Sequence, residues 1–374
     1  MALKTTHPVL GTRALNRATL ARQLLLRPAP MGVTEAVEHL LGLQAQNTKP
    51  PYYALAARLD GFRPEQLSAL MESRAVARIV TMRSTVHTHT ARDAVALRRL
   101  VQPGAIDREL AVFVSRKGLD GVDLDRLATT ARALVEERPR TPKELREELL
   151  PLWPDADPQS LSVAARCLLP LVQVTPRGLW GRGGRVALTT TDRWFDDPAR
   201  EAADVDETVL RYLGAFGPAS VKDMQTWCGL TRLGEAFERL RPRLLAFRSE
   251  RGTELFDLPD APRPDEDTPA PPRFLPEFDN LLLSHADRGR VVPEEARGRT
   301  WTGNQAHRVF LLDGFLAGIW RLDEAKDRTT LTVQPFGRVT RDRRAALTAE
   351  AERTLRLMTP PDIPYDIVFG TPET

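Results

Sequence analysis

VARIVTMRSTVHTHT, residues 76–90, changes the period of the chain. Valine, isoleucine and threonine dominate it, and apolar residues alternate with polar ones, which is the pattern of one or two β-strands. The sequence before it is spaced for helices. RALNRATLARQLLL (13–26) carries Leu15, Leu20, Leu24 and Leu25 on one face, and residues 33–44 repeat the spacing with Val33, Val37, Leu40, Leu41 and Gln44. Pro51 suits the first turn of a helix through Leu59, and Pro64 opens another in PEQLSALMESR. From Ala91, ARDAVALRRLV returns to the helical period. Helices followed by a short β ribbon is the order of a winged helix-turn-helix module, so residues 1–103 are read as one.

The order recurs. Helices are predicted near 104–116, 123–137, 141–149 and 158–171, followed by strand signals LVQVTP and RVALTT around a tip, RGLWGRGGR (177–185), which makes 104–200 a second module. ETVLRYLGAFG, ASVKDMQTWCGL and RLGEAFERLRPRL predict three more helices. LLAFRSE and TELFDLP predict two strands about Arg251-Gly252, giving a third module over 201–262. The repetition lies in element order, not in sequence identity. APRPDEDTPAPPR (261–273) reads as a proline-rich acidic linker. Residues 263–374 then hold this linker, a C-terminal β region (FDNLLLS, HRVFLLDGFLAGIWRL, TTLTVQPF), a closing helix RRAALTAEAERTLRLM and a loop-like tail. Asp313-Gly314 is a two-residue hairpin signal. The expected class is a helix-rich α+β fold of three tandem winged helix-turn-helix motifs.

At 374 residues with 42% hydrophobic and 28% charged content, the chain has the composition of a globular protein of two or three domains. No apolar run reaches the roughly 20 residues of a membrane helix, and MALKTTHPVLGTRALNRATL has no secretory h-region. Cys167 and Cys228 lie far apart and suggest no disulfide framework. A cytoplasmic setting is expected. The net charge of +3 is unevenly spread, with 14 Lys+Arg against 6 Asp+Glu in the first hundred residues. That is the footprint of a polyanion partner, although a solvated arginine-rich surface accounts for charge alone equally well.

LGLQAQ (41–46) places two amides, Gln44 and Gln46, at the end of the second predicted helix. Gln44 continues the apolar stripe, where a capping amide is the plain reading. Lys49 precedes Pro50 and favours extended geometry, so the helix is expected to unwind near Gln46 and let both amides face one pocket. Amides cannot ionise and are no general bases. They suit a reaction with a good leaving group, a positioned water and developing positive charge. His87 and His89 share a strand face, but no third ligand stands out and no metal is expected. Arg177, Arg182 and Arg185 around the glycines of RGLWGRGGR are candidates for phosphate or minor-groove contact. The tip is neither GxGxxG nor a P-loop, so no nucleotide cofactor is expected. Glu147-Glu148 and Glu294-Glu295 read as exposed helix faces.

LGLQAQ with YYALAARL, then TMRSTVH, LPEFDNLLLSHADR and FLLDGFLAGIWR, resemble the bacterial winged-helix family that includes the DNA glycosylases AlkZ and YcaQ, from about Leu15 to Met358. The resemblance implies a C-shaped concave DNA-binding surface. It also implies hydrolysis of N-glycosidic bonds of alkylated purines, including interstrand crosslinks, by a monofunctional enzyme without cofactor or metal. Its catalytic pair is Gln-x-Gln or Gln-x-Asp, and Gln44 and Gln46 match the first form. Mild departures at Ser84 and Val86 bear on substrate range. In this reading Gln46 orients the water and Gln44 contacts the sugar or the water. Arg83 and His87 support the site or DNA, and Asn47, Lys49, Arg288 and Arg290 join them as candidate contacts. The expected partner is double-stranded DNA carrying alkylated purines, bound by a monomer. Two alternatives share the same features: a winged-helix transcriptional regulator and a protein-binding scaffold without chemistry.

Overall fold

The structure, a computed structural model, describes residues 7–116, 118–196, 201–303 and 305–371. The expected boundary at residue 200 lies outside the described residues. The first region runs β1 (Val9–Leu10), α1 (Thr12–Arg22), α2 (Val33–His39), β2 (Leu43–Gln44), α3 (Pro50–Arg58), α4 (Pro64–Glu72), β3 (Val76–Val80), β4 (Val86–Thr90) and α5 (Ala91–Val101). One wide helical turn, Gln102–Ile106, leads without a linker into α6 (Asp107–Ser115). Then come α7 (Leu124–Glu137), α8 (Pro142–Leu149), α9 (Pro158–Leu168), β5 (Leu171–Gln173), β6 (Leu188–Thr190) and α10 (Thr191–Trp194). The third region is α11 (Val205–Phe216), α12 (Val221–Cys228), α13 (Gly234–Leu240), β7 (Leu245–Ser249) and β8 (Glu254–Asp257). The rest is β9 (Arg273–Leu275), α14 (Asn280–Leu283), β10 (Trp301–Thr302), β11 (Gln305–Ala306), β12 (Arg308–Leu312), β13 (Phe315–Glu324), β14 (Thr329–Pro335), α15 (Arg341–Met358) and β15 (Tyr365–Phe369).

Local chemistry sets these elements. Asp123 caps α7 by accepting from the Asp125 and Arg126 amides, and Leu127, Ala131 and Val135 recur every four residues on its buried face. Thr141 and Glu144 form a capping box on α8, as do Ser220 and Asp223 on α12. Asp313 and Gly314, both at positive φ, turn β12 into β13. The Asp313 carboxylate accepts from Arg13 and Arg17 of α1.

The regions share sheets. β5 and β6 extend the first hairpin into one five-stranded sheet, order β2-β4-β3-β5-β6, with Ile79 opposite Val172. β1 pairs in parallel with β7 of the third region. The C-terminal sheet, order β15-β14-β13-β12-β9, lies on the first region. Trp320, Phe274 and Phe310 share a core with Tyr52, Tyr53 and Leu55 of α3 and with Leu347 and Leu355 of α15. Two fully buried ion pairs lock this arrangement: Arg22 with Asp257 of β8, and Arg58 with Asp279 before α14.

Five expectations for local structure need correcting. Lys49 is not extended but helical, at φ −80° and ψ −33°, where α3 begins. The second helix ends at His39 and Gln44 lies in β2, because Leu41 and Gly42 at positive φ reverse the chain and the Gly42 amide closes back on the Val37 carbonyl. A Cβ on Gly42 would also meet the His89 ring at 2.3 Å. FDNLLLS is not a strand: Asp279 caps α14 there. The tail contains β15, parallel to β14. The acidic linker is laced to α1, with Arg13, Arg17 and Arg22 donating to the carbonyls of Glu266, Thr268 and Pro262. No helix among the described residues is long and apolar enough to cross a membrane.

Removing Asp279 strands the Arg58 charge in the interior. Asp279→Ala should therefore destabilise by roughly 3–5 kcal/mol in urea unfolding. Asp366→Ala, which breaks an exposed pair with Arg328, should cost under about 1 kcal/mol. Equal effects would refute the buried-pair argument.

Candidate active site at the Gln-Ala-Gln turn

The turn from β2 into α3 is held on both sides. The Ala45 amide donates to the Val86 carbonyl at 2.7 Å, and the Ala45 carbonyl accepts from Arg78 Nη2 at 2.6 Å. Burial lowers the Arg78 pKa to about 10, with Arg177 adding repulsion. Behind the turn lies Pro276–Asn280. Asn280 Nδ2 donates to the Gly42 carbonyl at 2.8 Å, and Glu277 accepts from Asn47 Nδ2 and from Arg308 Nε, each at 3.1 Å. Pro276 and Phe278 line the crevice against which Gln44 rests.

Gln44 is opposite His87 in the ladder and buried, whereas Gln46 is exposed. Arg83 Nη2 donates to Gln44 Oε1 at 2.7 Å, and its other terminal nitrogen donates to the Trp227 carbonyl in the last turn of α12. That turn is the negative end of the helix, with carbonyls left over from intrahelical pairing. Burial first, then repulsion from Arg288, lowers the Arg83 pKa to about 10, so it stays cationic at neutral pH. A guanidinium only donates, which fixes the Gln44 amide: Oε1 faces Arg83 and Nε2 faces away, with no acceptor for it among the described residues. Gln46 Oε1 faces the Val86 amide at a long 3.4 Å.

Arg83 and Ser84 themselves sit at φ 54° and 56°, a conformation uncommon for such residues. The second region braces this bend. Ser84 Oγ donates to Glu109 of α6, which Arg166 of α9 holds at 2.6 Å. His87 Nδ1 lies 3.0 Å from the Thr85 carbonyl, an acceptor, so Nδ1 carries the proton and Nε2, 3.4 Å from Arg83, accepts. Burial, then Arg83 and His89, pushes the His87 pKa well below its ordinary value. It is a neutral acceptor, not an acid. His89, stacked on His87 at 5.7 Å, bonds to Thr81 at 2.9 Å, and burial lowers its pKa to about 4.

The structure thus gathers Gln44, Gln46, Asn47, Arg83 and His87 around one turn. Lys49 lies beside it, paired with Glu324 and 5.8 Å from the Trp180 ring. Trp180 packs on Tyr52 at 5.0 Å, which folds the second-region tip against α3. Arg182 and Arg185 stay exposed there, while Arg177 turns inward to the Gly184 carbonyl. Arg288 is exposed beyond α14. Arg290 does not fit its expected role as a DNA contact. It is buried and donates to Pro218 and Thr19, with Asp223 at 3.9 Å. A cavity of about 830 Å³ near Arg290 mixes Lys222 and Arg251 with Glu250, Glu254 and Asp287, and neither glutamine lines it. Sequence reasoning missed Arg78, Glu109, Glu277, Phe278 and Asn280. LPEFDNLLLSHADR (275–288) stands out as a block, but the candidates drawn from this part of the chain are its last residue, Arg288, and Arg290 just beyond it.

The sequence model of the DNA glycosylase AlkZ-like family matches residues 37–357. The chain belongs to the AlkZ-like family. An interstrand DNA cross-link repair glycosylase from Streptomyces sahachiroi is 25% identical over 205 residues, 50% of this chain and 53% of that protein. The chain thus spans about half the length of the curated relative it matches. The solved structure of Streptomyces sahachiroi DNA glycosylase AlkZ superposes with a TM-score of 0.78 at 18% identity, covering 96% of this chain and 100% of that one. This shared architecture is the helix-rich α+β fold described above.

Neutral buried histidines make stability pH-dependent. Their folded pKa values are depressed, so below the ordinary value near 6.5 the unfolded chain binds more protons than the folded one. Stability is full above about pH 6.5 and falls as pH drops, by about 2 kcal/mol for His89 alone between pH 6.5 and 5. Urea unfolding of His89→Gln should show a correspondingly shallower pH slope. An unchanged slope would refute the neutral assignment.

Proposed function

We propose that the chain is a monofunctional DNA glycosylase acting on alkylated purines in duplex DNA: N7-alkylguanines, bulky adducts or interstrand crosslinks. The service would be repair or self-resistance to an alkylating natural product. The three helix-then-hairpin regions serve as tandem winged helices along a C-shaped concave surface. The protein works as a cytoplasmic monomer and needs only water as co-reactant. Family membership and the cross-link repair relative support the reading. The single observation that carries it is the Gln44–Arg83 bond, which fixes one amide beside an exposed second amide.

The chemistry follows from the groups. N7-alkylation gives guanine a positive charge. When the C1′–N9 bond breaks, its electron pair leaves with the base, which departs neutral. A sugar with oxocarbenium character remains, water adds to C1′, and one proton passes to solvent. Gln46 orients that water as donor and acceptor together. Gln44 turns Nε2 towards the water oxygen, and the second lone pair of its Oε1 is the part suited to the positive sugar. Positioning and dipoles supply the rate. His87 fixes Arg83 and transfers no proton. Asn47, Lys49, Arg182, Arg185 and Arg288 meet the DNA.

Duplex DNA with N7-methylguanine, incubated with protein and then cut by alkali, tests this. Gln46→Ala should abolish strand cleavage and Gln44→Ala should slow it by roughly ten- to a hundredfold, while duplex affinity stays within a few fold. The wild-type rate should be flat from about pH 6.5 to 9, because no proposed group titrates there. Tight binding by the wild type without base loss, on simple and bulky lesions alike, would point to a regulator instead.

A further inference from the structure

A cavity of about 330 Å³ opens beside the Gln-Ala-Gln turn, between α14, the loop that follows it and the strands β10 and β11. It joins the site at two points. Phe278 lines both this cavity and the crevice that holds Gln44. Arg288, also in its wall, is near enough to Arg83 to lower its pKa. Phe278 and Trp301 meet edge to face at 5.6 Å, and Leu282 and Val292 complete an apolar lining. Trp301 keeps 42% of its surface exposed, although burial is the ordinary fate of so large a ring. Phe278 is held at φ 62°, a rare conformation for a bulky residue and one that clusters at functional sites. Arg297, paired with Glu294 at 3.6 Å, joins Arg288 in the wall, where Asp287 is held by Arg251 at 3.2 Å; the Arg288 guanidinium donates to no acceptor among the described residues.

An exposed ring, Trp301, beside a half-buried one, Phe278, over an apolar lining fits a flat π-system, whose identity stacking tolerates. The two arginines fit the phosphates flanking it. The volume is near the lower end of the roughly 300–1,000 Å³ of ligand pockets, enough for one fused ring system. We infer that this cavity receives a planar aromatic group carried by damaged DNA and displaced from the base stack. The group has two sources: the aromatic part of a bulky N7 adduct, or a base unstacked beside the lesion. The inference rests on the glycosylase reading for its link to lesions, but its test is a binding test and stands apart from turnover.

Trp301 is exposed, so Trp301→Ala should fold, and Trp301→Phe keeps a stacking ring. Three duplexes serve as probes: one with N7-methylguanine, one with a polycyclic aromatic N7 adduct, and one with 2-aminopurine beside a stable abasic analogue. If the adduct occupies the cavity, Trp301→Ala should weaken adduct-duplex binding about tenfold or more and N7-methylguanine binding under threefold. If an unstacked base occupies it, both affinities should fall alike, and the 2-aminopurine fluorescence change seen with wild type should disappear. Trp301→Phe should restore most of either effect. Trp301→Ala indistinguishable from wild type on all three duplexes would overturn the inference, whether or not the wild type releases base. A wild type that releases no base while the Trp301 effect persists would remove the glycosylase reading and leave the cavity assignment in place.

Discussion

The Arg83 guanidinium is a half-buried cation at the point where all three helical regions meet, and a cation removed from water has to be met by oxygen. Gln44 Oε1 supplies one acceptor and the last turn of α12 another. To reach both, the backbone at Arg83 and Ser84 takes the left-handed conformation, and Glu109 and Arg166 hold it there from the second region. A Cβ on Gly229 would come within 3.4 Å of the Arg83 amide nitrogen, so the third region approaches this bend at glycine. The ladder that sets Gln44 opposite His87 and the turn that exposes Gln46 depend on the same anchor.

That anchor also explains amides in place of carboxylates. A carboxylate at Gln44 would close on Arg83 as an ion pair and present only acceptors to the site. The amide satisfies Arg83 through its oxygen and still offers two N–H donors. In the proposed reaction, whose substrate would begin as a cation and leave as a neutral base, fixed neutral dipoles would stabilise the changing charge without a proton to manage. The depressed pKa values of His87 and His89 belong to the same design. Both rings are kept neutral beneath a cation that is already present.

Much of the frame was legible in sequence because it rests on local signals. The alternation of 76–90, the Asp313-Gly314 turn and the boundaries of α7, α8 and α12 follow from periodicity, capping and turn chemistry within a few residues. The glutamine pair was legible as a motif, although its helical setting was not, since Gly42 cuts the helix short and sends Gln44 into a strand. The supporting groups were not legible for a different reason. Glu277, Phe278 and Asn280 stand more than 200 residues from the turn they back, and Glu109 acts through Ser84 of another region. Such contacts come from tertiary packing, which leaves no period in the chain. Arg290 shows the converse error, where a charge read as surface is buried against Asp223 and Pro218.

A double-mutant cycle on Arg83 and Gln44, read by the single-turnover rate of N7-methylguanine release, tests the central claim that these side chains act as one unit. If Arg83 works by orienting the Gln44 amide, Arg83→Ala and Gln44→Ala should each slow release strongly and the double variant should be little slower than either, with a coupling of roughly 1–3 kcal/mol. Losses that simply add would show the two residues acting independently and would contradict the account.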